Sequence, residues 1–81
     1  GGDAAPASPP IDYLARSKAI FKDVSESWSG VALQTLVIEL WRRFPAVRQG
    51  QVTALERALP GQYQGLYEFL EHCQRYGKLP A

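Results

Sequence analysis

Apolar side chains recur every three or four residues along most of this chain, which is the spacing of one face of an α-helix. The spacing predicts helices over residues 11–25, 31–44, 48–59 and 62–76. No stretch alternates between apolar and polar residues for long enough to indicate a strand. We therefore expect an all-α domain, a compact bundle of four helices.

Helix-capping and helix-breaking residues support these limits. Asp12 follows two prolines and is placed to cap the first helix. Pro45 ends the second helix, because its ring keeps the preceding residue out of helical geometry. Pro60-Gly61 then predicts a tight corner between the third and fourth helices, and Gly77 predicts the end of the fourth.

Each predicted helix has an apolar stripe that we expect to face the core. In the first two helices the stripes contain Leu14, Phe21, Val24 and Trp28, followed by Leu33, Leu36, Val37, Leu40, Trp41 and Phe44. In the last two helices they contain Val52, Leu55 and Leu59, followed by Tyr63, Leu66, Phe69, Leu70, Cys73 and Tyr76.

Residues 1–10 differ from the rest in composition. They are rich in Pro, Ala and Gly, have no apolar period, and are typical of a disordered leader or linker. We therefore expect the helical domain to occupy residues 11–81 and to be part of a larger polypeptide. A domain of this size is near the lower limit for folding without metals or disulfides, with a stability of only a few kcal/mol.

The charge balance and the cysteine content exclude several classes of protein. Nine Lys and Arg residues against eight Asp and Glu residues give a net charge of +1, which provides no broad positive surface for nucleic acid. Cys73 is the only cysteine, so no internal disulfide can form, and an intracellular setting, nuclear or cytoplasmic, is expected. No apolar run approaches the length of a membrane span.

The sequence contains no pattern typical of a catalytic or metal site. His72 and Cys73 are adjacent, and neighbours on a helix do not face one another, so they cannot act as a base and nucleophile pair. With no other Cys or His in the chain, a zinc site lacks ligands. The carboxylates are spread singly, and no glycine-rich phosphate loop occurs. We expect no cofactor, no metal and no enzymatic activity.

Residues 51–76 also fit the outline of a helix-turn-helix motif, with a short helix, a glycine-containing turn and a longer helix. That interpretation makes the last helix a nucleic-acid reader. However, this helix carries Glu68 and Glu71, whose charges would repel a phosphate backbone. Nucleic-acid binding is therefore disfavoured but kept as the alternative function.

The apolar content exceeds what a small core can bury. Val31 and Ile38 lie off the main stripe of the second helix, and Tyr67 and Leu79 lie at the edge of the last. If these residues form a continuous exposed strip, they indicate a protein-binding groove. The other interpretation is that the first helix or the leader covers them, and the sequence does not choose between the two.

The corner before the last helix has the pattern Leu55-xxx-Leu59-Pro60-xxx-Gln64-xx-Tyr67-xx-Leu70. This pattern resembles the corner between the last two helices of harmonin-homology domains, and the resemblance extends over about residues 18–73. The chain departs from the family in two respects. Prolines occupy the place of the family's opening helix, and Ala58 and Gly65 are smaller than the family pattern leads us to expect.

Harmonin-homology domains occur in PDZ scaffolds such as harmonin and whirlin, in the cerebral cavernous malformation adaptor and in the telomere-length-regulating helicase. The resemblance implies a compact bundle, usually of five helices, that binds an amphipathic helix or short peptide of a partner protein. It implies no catalytic residues.

These observations together lead to the hypothesis of a non-enzymatic docking module within a larger scaffold or helicase protein. Its partner would be another protein, bound by helix-in-groove recognition. Self-association is a third interpretation, and the sequence does not indicate an oligomeric state. The candidate groove residues are Trp28, Val31, Ile38, Trp41, Tyr63 and Tyr67, with Arg42 and Arg43 at the rim to steer an acidic partner.

Overall fold

The computed structural model describes residues 10–49 and 54–81. This part of the chain contains three α-helices and no strand: α1 is Tyr13–Ser27, α2 is Gly30–Arg43 and α3 is Tyr63–Tyr76. Three short 3-10 turns, Pro45–Gln49, Ala54–Arg57 and Pro60–Gln62, lie between α2 and α3. The predicted helical class is confirmed, and the predicted number of four helices is wrong. The predicted leader lies outside the described residues, except for Pro10.

α1 and α3 form the closest helix pair, and they run in the same direction. Near the start of both helices, the ring of Tyr13 lies 5.4 Å from the ring of Tyr67, measured between centroids. Toward their ends, the side-chain amide of Gln74 donates a hydrogen bond of 2.8 Å to the carboxylate of Asp23. Because residue numbers rise together along the two helices, α1 and α3 are parallel.

α2 runs in the direction opposite to both of its neighbours. It begins at Gly30, just after α1 ends, and returns to Phe44, which lies against the first half of α3. The ring centroids of Phe44 and Phe69 are 6.2 Å apart, and the Phe44 ring also passes beside Gly65. The three helices therefore form an up-down-up bundle.

The core lies between the three helices and the turns that connect α2 to α3. Most of the predicted inward positions on α2 and α3 are buried as expected, whereas Val47 and Ala58 were not predicted. The buried apolar residues are Val24, Leu36, Leu40, Phe44, Val47, Leu55, Ala58, Leu66, Phe69, Leu70 and Cys73.

The predicted helix over residues 48–59 is the main error of the sequence analysis. Its described parts are the end of one 3-10 turn and the whole of another, Ala54–Arg57. Gly50 and the β-branched Val52 and Thr53 have low helix propensity, and a helix of this length is marginal without strong propensity. The apolar spacing predicted an α-helix here because residues i and i+3 lie on one side of a 3-10 turn as well as of an α-helix. Val52 itself lies outside the described residues.

Three residues of the predicted core stripes are exposed instead: Leu59, Tyr76, and Trp41, which was also a candidate groove residue. Leu59 is 61% exposed, and its backbone is extended (φ −66°, ψ 146°), as expected for a residue that precedes proline. The extended backbone at Leu59 ends the preceding 3-10 turn, so that Ala58 is buried in the core and Leu59 is not. Tyr76, the last residue of α3, is also exposed, and its ring lies 4.6 Å from the ring of His72, between centroids.

The predicted helix ends are confirmed where caps define them. Asp12 accepts a hydrogen bond of 2.9 Å from the backbone N–H of Ala15, which satisfies a free donor at the start of α1. Gly77 has a left-handed backbone (φ 68°), and its N–H donates to the carbonyl of Cys73 at 2.9 Å. That geometry ends α3 and is accessible mainly to glycine.

Candidate functional site

Three of the six large apolar side chains that are exposed in the described part of the chain lie on α2. Val31 is 77% exposed and Ile38 is 53% exposed, and Trp41 is also exposed. A shallow depression runs along this side of α2 and is lined by Gly30, Leu33, Gln34, Val37, Ile38 and Trp41. We call Leu33, Val37, Ile38 and Trp41, with Val31 at the edge, the α2 strip.

The α2 strip exists because α2 is apolar on more than one side. Leu36 and Leu40 are fully buried and attach the helix to the bundle. The strip begins beside these residues with the half-buried Leu33 and Val37 and extends around the helix to the exposed Trp41 and Ile38. A helix that is apolar around most of its circumference is typical of one that is buried on two sides, so the strip is suited to a second contact.

The C-terminal end of the α2 strip is bordered by two guanidinium groups. Ile38, Trp41, Arg42 and Arg48 line a second depression that continues the first. The guanidinium carbon of Arg48 lies 5.8 Å from the ring centroid of Trp41, within the range of a cation–π contact. This end of the strip therefore combines an aromatic surface with positive charge.

Glu39 links the two arginines at the end of α2. Arg42 donates to its carboxylate through Nε at 3.0 Å, and Arg43 donates through Nε at 2.7 Å. These hydrogen bonds lower the pKa of Glu39 from its ordinary value of 4.5 to about 2. The hydrogen bond from Arg42 has the larger effect, and that from Arg43 is second. The carboxylate therefore stays ionised and orients both side chains.

Arg43 is turned toward the bundle and away from the strip. Its guanidinium carbon lies 5.1 Å from the ring centroid of Phe69, and its Nη2 donates a long hydrogen bond of 3.4 Å to the carbonyl of Pro80. The side chain is half-buried. Arg43 therefore joins α2 to α3 and to the segment after α3, while Arg42 remains at the border of the strip.

The remaining candidate residues lie on other surfaces. Tyr67 packs on Tyr13 at the α1–α3 interface, and the Tyr63 hydroxyl donates to the carbonyl of Glu56 at 3.5 Å. Trp28 is half-buried against the core at the α1–α2 connection. Ile38, Trp41 and Arg42 thus share one surface, with Val31 at its edge, and the two tyrosines do not belong to it.

Sequence reasoning missed Gln34 and Arg48 as lining residues and assigned Leu33 and Val37 only to the core. The signal was present in the spacing of positions 30, 33, 34, 37, 38 and 41, which repeats on one helical side. Together with the buried residues, this repeat makes an apolar surface too wide for one core contact.

The described residues contain no group of three or more His, Cys, Asp or Glu side chains that could hold a metal ion. Cys73 is fully buried, and burial raises the pKa of its thiol. His72 is half-buried beside Tyr76. None of α1, α2 and α3 is long and apolar enough to cross a membrane.

No protein-family model, curated protein or solved structure matches this chain. The candidate site is therefore defined by its own geometry. It is an apolar helix face bordered at one end by cations, and such a surface can bind a complementary apolar chain but holds no reacting group.

Proposed function

We propose that this domain is a non-enzymatic docking module that binds an amphipathic helix of a partner protein on the α2 strip. One observation carries the proposal. Val31, Ile38 and Trp41 are exposed on α2, on the side turned away from the buried Leu36 and Leu40. Exposed apolar residues that are contiguous on one surface commonly mark a protein-binding site.

The physical basis is the free energy of removing these side chains from water. Full burial of one large apolar side chain is worth about 1.5–3 kcal/mol. Leu33 and Val37 are already half-buried and Trp41 is 36% exposed, so each can gain only a fraction of this value. Val31 and Ile38 have the most exposed surface to bury, and we expect a weak affinity after the entropy of association is subtracted. Trp41 is the strongest anchor candidate, since tryptophan and arginine dominate the energetics of interfaces and Arg48 lies beside it.

We further propose that the module acts within a larger intracellular protein, a scaffold or a helicase, and that it is related to the harmonin-homology domains. The Leu55 to Leu70 pattern is the support for this relationship, together with the helical bundle around it. The helix-turn-helix alternative is disfavoured, because the described part of the segment before its turn is the 3-10 turn Ala54–Arg57 and not an α-helix.

The test uses helical peptides of about 16 residues, selected from a display library on the wild-type domain. Binding is then measured by fluorescence anisotropy on an Ile38→Asp variant. We expect the peptides to lose more than about tenfold in affinity, because the charge would be desolvated in the contact. Ile11→Asp is the matched control, since Ile11 is 48% exposed and lies just before α1, away from the α2 strip.

Circular dichroism of both variants checks that the helices are intact. Equal affinity of the selected peptides for Ile38→Asp and the wild type would show that the α2 strip is not the binding surface. Failure to recover any peptide that depends on Ile38 would overturn the docking function.

A further inference from the structure

We infer that the bound helix lies antiparallel to α2 and carries acidic side chains in its first turn, an inference that rests on the proposed docking function. The charged groups that border the α2 strip are confined to one end. The end nearer the start of α2 is lined by Leu33 and Gln34, with no charged side chain. The opposite end is lined by Arg42 and Arg48.

The charge at that end is positive. Glu39 is the carboxylate that pairs with Arg42 there, and it is shared with Arg43. Arg48 lies over Trp41, so its charge stands directly beside the apolar contact surface. A partner with acidic side chains at this end would gain charge-assisted hydrogen bonds, whereas a basic partner would be repelled.

The direction of the partner follows from the dipole of its helix. Acidic side chains are favourable in the first turn of a helix and unfavourable in the last turn, because the N-terminus carries partial positive charge. A partner whose first turn lies over Arg42 and Arg48 satisfies both the arginines and its own dipole. Since these arginines are at the C-terminal end of α2, that partner runs antiparallel to α2.

The length of the α2 strip limits the length of the bound helix. From Leu33 to Trp41 the axial rise is about 12 Å, at about 1.5 Å per residue. The apolar contact therefore needs about two turns, with apolar residues at positions i, i+3 or i+4, and i+7 of the partner. Its acidic residues precede this apolar run.

The test uses a display library of helical peptides of about 16 residues with a fixed leucine face and with Glu, Gln or Lys at the outer positions of the first and last turns. Selection on the wild-type domain is followed by removal of peptides that still bind Ile38→Asp. We expect Glu to be enriched in the first turn. We also expect the selected peptides to bind Arg48→Gln about two- to fivefold more weakly, with Arg16→Gln on α1 as the unaffected control.

The direction of the bound peptide relative to α2 is measured separately. Enrichment of Glu in the first turn does not prove the direction, because acidic residues there also stabilise the free helix. A nitroxide on the peptide N-terminus should broaden the amide signal of Phe44 more than that of Gly30, at the two ends of α2. The opposite order would overturn the antiparallel direction. Unchanged affinity for both Arg42→Gln and Arg48→Gln would overturn the acidic contact. After either of these results, the recovery of peptides whose binding depends on Ile38 would still support the docking function. If no such peptide is recovered, both the docking function and the present inference are overturned.

Discussion

Arg43 and Phe69 join the end of α2 to the middle of α3, with the guanidinium carbon 5.1 Å from the ring centroid. The neighbouring Arg42 shares the same carboxylate partner, Glu39, but points outward and makes no comparable contact with α3. The two adjacent arginines thus have different structural roles, and this difference can be tested.

We expect Arg43→Gln to lower the free energy of unfolding by about 1 kcal/mol, because it removes the cation–π contact with Phe69 and the hydrogen bond to Pro80. Arg42→Gln is the matched control, since it removes the same type of bond to Glu39 from an exposed position. Urea unfolding measures both variants. A similar loss in the two would contradict the role assigned to Arg43.

The ionisation of Glu39 makes stability depend on pH in the acidic range. Its pKa is about 2 in the folded domain and 4.5 when unperturbed, so the folded state favours the ionised form. Its stabilising contribution is fully present above pH 4.5 and is lost as the pH falls toward 2. We expect the free energy of unfolding to decrease over that interval, and to decrease less in Glu39→Gln. An unchanged slope in this variant would show that Glu39 does not contribute.

Leu36 and Ile38 are two residues apart on α2 but differ completely in environment. Leu36 is fully buried, so Leu36→Ala should lower stability by about 2–5 kcal/mol, enough to unfold much of a small domain. Ile38→Asp should change stability by less than about 1 kcal/mol, because the side chain is largely in water. Thermal unfolding followed by circular dichroism distinguishes them. Unfolding of Ile38→Asp would place Ile38 in the core and remove the α2 strip as a surface.

Ser17 is fully buried on α1, and its hydroxyl has no hydrogen-bond partner among the residues that the structure describes. We therefore expect Ser17→Ala to raise the free energy of unfolding by about 1 kcal/mol, because it removes a desolvated polar group and improves helix propensity. Ser27→Ala is the control, since the Ser27 hydroxyl is exposed and donates to the carbonyl of Asp23 at 2.8 Å. Chemical denaturation measures the free energy of unfolding of both variants. A lower value for Ser17→Ala than for the wild type would show that the Ser17 hydroxyl makes a stabilising hydrogen bond in solution.

The limits of α1, α2 and α3 were predictable within a few residues because local chemistry defines them. Asp12 satisfies a free N–H at one helix start, and Gly77 adopts the left-handed geometry at one helix end. The segment between α2 and α3 was not predictable in the same way. Its anchors Val47 and Ala58 are buried through tertiary contacts, and the i, i+3 spacing does not separate a 3-10 turn from an α-helix.

The candidate site was predictable only in part. The apolar excess on α2 is visible in the sequence, and the exposure of Val31 and Ile38 is confirmed. The grouping of the candidates was not predictable, because it depends on how helices pack. Tyr67 shares helical spacing with exposed residues, yet the parallel packing of α1 places Tyr13 against it.

The parallel pairing of α1 with α3 has a consequence for how the chain reaches its native state. Tyr13 and Tyr67 contact each other although 54 positions separate them in the sequence. Contacts of such long range require a large loop to close before they form, and this slows folding relative to bundles of sequential helical hairpins. During synthesis, α1 therefore lacks its main helical partner until α3 has been made. The α1–α3 interface can form only after α3 has left the ribosome.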